Sequence, residues 1–273
     1  MDKTDENAIG APGTDYGNWI SKRCVRMLGM VTAIVGAAFL LCEFAWGNTV
    51  ATVVSGILLL VMLYVLCRYL RVREALSYSD GEGINHMHTN LLSHLHWDGQ
   101  GHVLDVGCGS GALTIRCAKA YPICRATGMD TWSSDWEYSQ AQCEKNAQLE
   151  GVNERCKFVA GDVRALAFPD ETFDALVDNL VLSKVKSANT IAARRALIAE
   201  SLRVLKTGGA FVFQEPFDNE TMFGTADELV SWLQEQGISE VHYEGNLDHA
   251  DWMPSRAVSS LSFKGLGVLW GQK

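Results

Sequence analysis

Between Val103 and Gly111 the chain reads VLDVGCGSG: an apolar run, an aspartate, then glycines at 107, 109 and 111. Val103, Leu104 and Val106 suit a strand buried on both faces. The glycines permit a tight turn at positive φ and leave no Cβ between backbone and ligand. Ala112 to Tyr121 follows as a helix whose first amide groups point towards the loop. Strand, glycine turn and helix in this order commit the region to an α/β unit with a cofactor loop at the carboxyl end of its strand.

The glycine spacing separates two classes of ligand. A dinucleotide fingerprint is G-x-G-x-x-G, with a pyrophosphate on the helix N-terminus. Here the order is G-x-G-x-G, with Asp105 two residues before the first glycine. A carboxylate there repels a pyrophosphate and favours a ligand with a positive charge or several donors, such as the amino-acid end of S-adenosylmethionine. On these residues the chain resembles the bacterial-type class I S-adenosylmethionine-dependent methyltransferases, whose first motif is an acidic residue followed by G-x-G-x-G. The same spacing opposes a nicotinamide-dependent oxidoreductase.

Further motifs follow in the order the resemblance requires, over about residues 84–273. Ile123 to Met129 reads as a second strand ending in Asp130, about twenty residues after the loop, the distance at which a strand-end carboxylate accepts from ribose hydroxyls. Cys156 to Ala160 reads as a third strand, followed by Gly161-Asp162-Val163. Phe168 to Asn179 holds a turn and the fourth strand, and Leu202 to Phe213 a helix end, a double-glycine turn and the fifth. The resemblance implies that Asp105, Gly107, Cys108, Gly109, Asp130, Thr131, Asp162, Val163 and Asn179 hold the cofactor. Asp130 then meets the ribose, Asp162 and Val163 the adenine, and Cys108 contributes its backbone amide. Trp132 has two readings, stacking on adenine or packing in the core.

Ile84–His96, Ser134–Glu150, Thr190–Lys206 and Thr225–Gln236 read as helices, and Val241–Glu244 and Leu261–Gly271 as the last two strands. Strands alternating with helices predict an α/β fold with a mainly parallel sheet covered on both faces. The resemblance implies seven strands in a Rossmann-like sheet ending in an antiparallel pair.

Upstream lies a second constraint. Met27 to Trp46 contains one charge, Glu43, and Thr49 to Cys67 none, each roughly the length needed to cross a bilayer core. Gly47 and Asn48, which favour turns, are all that separates them. Lys22, Arg23 and Arg26 precede the pair and Arg68, Arg71 and Arg73 follow it, which by the positive-inside rule leaves both termini and the α/β domain in the cytoplasm of a cell-membrane protein. Gly29, Ala33 and Ala37 form a small-residue stripe suited to close helix contact, within the hairpin or with a second copy. The expected organisation is a tail with an interfacial segment (1–26, disordered over Met1 to Gly13, with Tyr16 and Trp19 at the membrane surface), a transmembrane hairpin (27–73), a linker (74–83) and the α/β domain (84–273).

Charge narrows the partners. Residues 74–273 carry 16 Lys and Arg against 27 Asp and Glu, a poor match for nucleic acid, whose binding relies on phosphate neutralisation. The eight cysteines show neither a C-x-x-C pair nor a metal-ligand rhythm and read as reduced thiols. His86 and His88 are candidates for a general base against the plainer reading of polar helix positions, and Glu215 is a candidate for substrate contact. Neither reading assigns a catalytic residue. The expected function is a membrane-anchored methyltransferase acting on a small, lipid-like or membrane-dissolved acceptor; the alternative is an inactive cofactor-binding scaffold or oligomerisation module.

Overall fold

The computed structural model describes residues 10–78, 83–133, 138–238, 240–254 and 263–273. Seven strands, β1 (His102–Val106), β2 (Arg125–Asp130), β3 (Cys156–Ala160), β4 (Phe173–Asn179), β5 (Leu205–Glu215), β6 (Glu240–Glu244) and β7 (Gly267–Gln272), form one sheet. Their order is β3-β2-β1-β4-β5-β7-β6. The first five run parallel, while β7 is antiparallel to both β5 and β6. The strand order reverses between β1 and its neighbours β2 and β4, which opens a crevice at their carboxyl ends.

Neighbouring residues in the central strands face opposite sides, so each strand feeds two cores. Val103, Ala126, Val177 and Val212 pack with α3 (Gly83–Ser93), α4 (Ala112–Ala120) and α5 (Gln140–Leu149). Leu104, Leu176, Phe211 and Phe213 pack on the other face with α6 (Ile191–Arg203), the short α7 (Glu220–Phe223) and α8 (Ala226–Glu235). The helices start where polar side chains satisfy their first amides: Ser139 caps α5, Thr190 caps α6, and Thr225 with Glu228 forms a capping box on α8. The Ser139 cap starts α5 at Gln140, six residues later than the sequence suggests; residues 134–137 lie outside the described ones. Gly208, at φ 79°, does not end β5 but sits in a bulge where the pairing jumps from Phe173↔Leu205 to Ala175↔Ala210. β7 begins only at Gly267, after a turn through Gly265 at φ 78°.

Two long apolar helices precede the sheet. α1 (Lys22–Leu41) continues through a π-helical turn, Cys42–Trp46, to a span of 25 residues, and α2 (Thr49–Ala75) has 27; both are long and apolar enough to cross a bilayer. Gly47, at φ 60°, ends the first, and the Asn48 side chain accepts from Ala51 N at 3.0 Å to start the second. The helices meet where Gly36 faces Leu59 and Gly56 faces Phe39. Ala33 and Ala37 are exposed, so the stripe Gly29, Ala33, Ala37 is not the seam within the hairpin.

The junction with the α/β domain departs from expectation. α2 runs eight residues past Cys67, and Val72, Ala75, Leu76 and Tyr78 are buried, so the first half of the expected linker is helix and core. Residues 79–82 lie outside the described ones, as do residues 1–9 of the tail. The tail from Gly10 onwards is docked. Gly10 N and Ala11 N both donate to Glu150 Oε1, at 2.5 and 2.9 Å, and Asp15 N donates to Asn146 Oδ1 at 3.0 Å. Asn18 Nδ2 donates to Arg73 O at 2.8 Å and Arg73 returns a bond to Ile20 O, tying the two ends of the hairpin together.

Candidate cofactor and acceptor site

A cavity of about 730 Å³ opens at the carboxyl ends of β1, β2 and β4. All nine sequence-assigned residues, Asp105, Gly107, Cys108, Gly109, Asp130, Thr131, Asp162, Val163 and Asn179, line it. Gly107, at φ 68°, lies so close to Val181 that a Cβ would run into that side chain; this position needs glycine for both reasons.

The carboxylates are held in distinct ways. Asp105 is buried, with one oxygen accepting from Thr114 Oγ1 at 2.6 Å. Burial pushes its pKa up to about 7, against the opposing effect of the Thr114 bond and with a further push from Asp130. A carboxyl so poised gains most from a ligand cation. Asp130 accepts from Gly109 N at 2.9 Å and from Trp132 N at 2.7 Å, so the loop itself aims it. Asp162 is gripped by the Arg164 guanidinium, at 3.0 and 2.6 Å, which holds it below the usual carboxylate range. Asn179 accepts from Gln214 Nε2 at 2.9 Å through its amide oxygen, so what it offers a ligand is the NH2 group.

Several expectations change. The Cys108 amide donates to Met129 O at 3.0 Å and is therefore spent on the strand end rather than offered to a ligand. Trp132 is tied by Nε1 to Gly109 O at 2.9 Å and packs against the core, so it buttresses the loop and does not line the cavity. Glu215 is fully buried and accepts from Leu182 N at 2.5 Å and Ser183 N at 3.1 Å. It supports the short turn Leu182–Lys184, of which Lys184 lines the cavity, and does not itself line it. Burial pushes Glu215 and its neighbour Asp178 upwards, and in Asp178 the charge of Glu215 adds to the effect. Of the two histidines, His88 lines the cavity and His86 does not. Tyr16 and Trp19, expected at a membrane surface, also line it, as do Tyr78 and Ile84. Their sequence signal, aromatic residues just before a basic cluster, is shared with interfacial anchors, which is why the pattern misleads.

Residues 104–213 match a family model described as "Methyltransferase domain". Residues 104–213 thus carry a methyltransferase domain of the class I type. Members of this family use S-adenosylmethionine, and the buried acid, the aimed Asp130 and the glycine turn fit that cofactor. Among curated relatives, a sterol 24-C-methyltransferase of Gibberella zeae is 26% identical over 56% of this chain and 43% of its own length. A fatty-acid O-methyltransferase of Mycolicibacterium smegmatis is 30% identical over 58% of this chain and 56% of its own. The chain thus spans about half the length of these relatives. The fold is also that of the [4+2]-cyclase SpnF, with a TM-score of 0.55 and 20% identity over 71% of this chain and 83% of that one. A methyltransferase fold that serves a cyclase is a reminder that fold alone leaves the reaction open.

Proposed function

We propose that the protein is a membrane-anchored methyltransferase that moves the methyl group of S-adenosylmethionine to a small lipophilic acceptor. The observation that carries this reading is the single cavity in which the acidic glycine loop meets an apolar, aromatic wall built by Tyr16, Trp19, Tyr78 and Ile84. The loop suits a zwitterionic nucleoside and the apolar lining a water-poor molecule. The sterol and fatty-acid substrates in the relatives' names agree with an acceptor of this kind.

The cofactor supplies a methyl group activated on a sulfonium. In this reading Asp105 receives the ligand's ammonium group, Asp130 accepts from its ribose hydroxyls, and Asp162 and Val163 bound its adenine. The contribution of the chain to the reaction is alignment: holding the acceptor in line with the methyl group and keeping water out. A base is needed only where the acceptor must lose a proton.

The hairpin gives the enzyme its location. Two apolar helices flanked by basic residues on one side support an orientation with both termini and the catalytic domain in the cytoplasm, where the domain would meet acceptors dissolved in the bilayer. Calorimetric titration of the full chain in lipid nanodiscs tests the cofactor half of the proposal. S-adenosylmethionine and S-adenosylhomocysteine should bind, NADH should not, and Asp130→Ala should weaken both adenosyl ligands at least about tenfold. Binding of NADH alone, or unchanged affinity in the variant, would contradict the assignment.

A further inference from the structure

Part of the cavity wall is assembled from chain on both sides of the hairpin. Tyr16 and Trp19 come from the strap before α1, Tyr78 from the chain just after α2, and Ile84 and His88 from α3. The rings support each other: Tyr16 and Tyr78 lie 5.1 Å apart at 42°, Tyr78 and His88 5.6 Å apart at 57°, and Trp19 stacks on Phe263 at 5.2 Å. This wall offers aromatic and aliphatic surface, and within it Tyr78 Oη meets His88 Nδ1 at 3.1 Å. Because Nδ1 is taken by the tyrosine, Nε2 is the ring atom that His88 has left for a ligand.

We infer that this wall is the acceptor subsite and that His88 Nε2, set by Tyr78, binds one neutral hydroxyl or carbonyl group on an otherwise apolar acceptor. The inference rests on the reading that the cavity takes an acceptor, and it makes the residues flanking the hairpin part of the active site. Burial, reinforced by the charge of Arg116, pushes the His88 pKa down to about 3, so the ring is uncharged across the physiological range. An uncharged imidazole pairs with a neutral polar group and has no charge to offer a carboxylate. The strap is fixed to the domain through Glu150 and to the base of α2 through Arg73, so Tyr16 and Trp19 keep their places in the wall. They lie three to six residues before α1, and Tyr78 three after α2, which sets the subsite at the foot of the hairpin. A molecule dissolved in the bilayer would then reach it along the helices.

The test uses the full chain in nanodiscs, saturated with S-adenosylhomocysteine, and measures the binding of matched probes: 1-naphthol against naphthalene, farnesol against farnesene, and oleyl alcohol against oleate. In at least one of the first two pairs the hydroxylated member should bind about fivefold tighter or better, as for one added buried hydrogen bond. That preference should vanish in His88→Phe and shrink in Tyr78→Phe, with the affinity for S-adenosylhomocysteine unchanged. Trp19→Ala should weaken both members of a pair alike. If His88→Phe loses the adenosyl ligand as well, Tyr78→Phe, which removes only a hydroxyl, decides the matter. Failure to discriminate within either of the first two pairs, a preference that survives both variants, or tighter binding of oleate than of its alcohol would overturn the assignment. None of these readouts requires turnover. A protein that discriminates the pairs but transfers no methyl group keeps the subsite and loses the transferase reading; one that transfers without discriminating does the reverse.

Discussion

At the residue scale, Asp105 is the group whose role a pH experiment tests most sharply. Its folded pKa of about 7 lies above the ordinary value of 3.8, with burial the chief cause. A raised carboxyl favours the fold while it is protonated. Its stabilising effect is therefore complete at acid pH and lost as the pH rises from about 4 to about 7, by an amount on the order of a few kcal/mol. A bound ammonium group favours the charged form and offsets that loss. The affinity for S-adenosylhomocysteine should accordingly rise between about pH 6 and pH 8, and Asp105→Asn should bind more weakly with that slope removed. An affinity in the wild type that is flat over this range would mean that Asp105 does not meet the ligand's charge. That these residues gather at one cavity was legible in the sequence, because acid and glycine spacing report directly on a ligand loop. Their hydrogen bonds were not. That the Cys108 amide is spent on Met129 and that Trp132 braces Gly109 are facts of how β2 ends against the loop, and no local pattern encodes them.

At the element scale, the strap from Gly10 to Ile20 depends on one carboxylate. Glu150 accepts from Gly10 N, Ala11 N, Tyr16 Oη and Lys119 Nζ, and its side chain is 2% exposed. Burial pulls its pKa upwards, but these bonds together outweigh burial and leave it below its ordinary value of 4.5. A depressed carboxyl stabilises the fold above its unfolded value and loses that effect as the pH falls through the folded one. Protection of the Gly10 and Ala11 amides, taken against their intrinsic exchange rates at each pH, should thus be full at neutral pH and fall in acid, below about pH 4.5. Glu150→Ala should free the strap at all pH values and lower stability by about 1–3 kcal/mol, because it removes the shared acceptor of four donors, three of them part-buried. Equal exchange in wild type and variant would remove the strap from the fold. For the hairpin, the expectation is that the full chain stays with the membrane pellet through alkaline carbonate extraction, whereas release into the supernatant would deny it a spanning anchor. Both spans were legible from composition, since apolar length is a direct signal. The end of α2 was not: the run of arginines after Cys67 suggests a membrane boundary, and the eight further helical residues are held by burial of Val72, Ala75 and Leu76 against the domain.

For the whole molecule, the sheet and the position of its crevice follow from strand–helix alternation and from the order of the motifs. The insertion of β7 between β5 and β6 belongs to the resemblance more than to the residues, because nothing in the two terminal segments alone specifies their spatial order. What sequence periodicity could not supply is the union of the two parts. Long-range contacts bring a tail that precedes the two apolar helices back onto the α/β domain, where Tyr16 and Trp19 line the cavity. A truncated domain beginning at residue 74 would lack Tyr16 and Trp19 and expose the core around Tyr78, so the whole chain is the proper unit to assay. The most direct measurement is methyl transfer itself: the full chain in nanodiscs, S-adenosylmethionine radiolabelled on its methyl group, and a lipid extract of membranes as the source of acceptor. Label should pass into an organic-soluble product, and excess S-adenosylhomocysteine should suppress the transfer. Tight binding of S-adenosylhomocysteine without transfer to any fraction of the extract would contradict the methyltransferase reading and leave a cofactor-binding scaffold in its place.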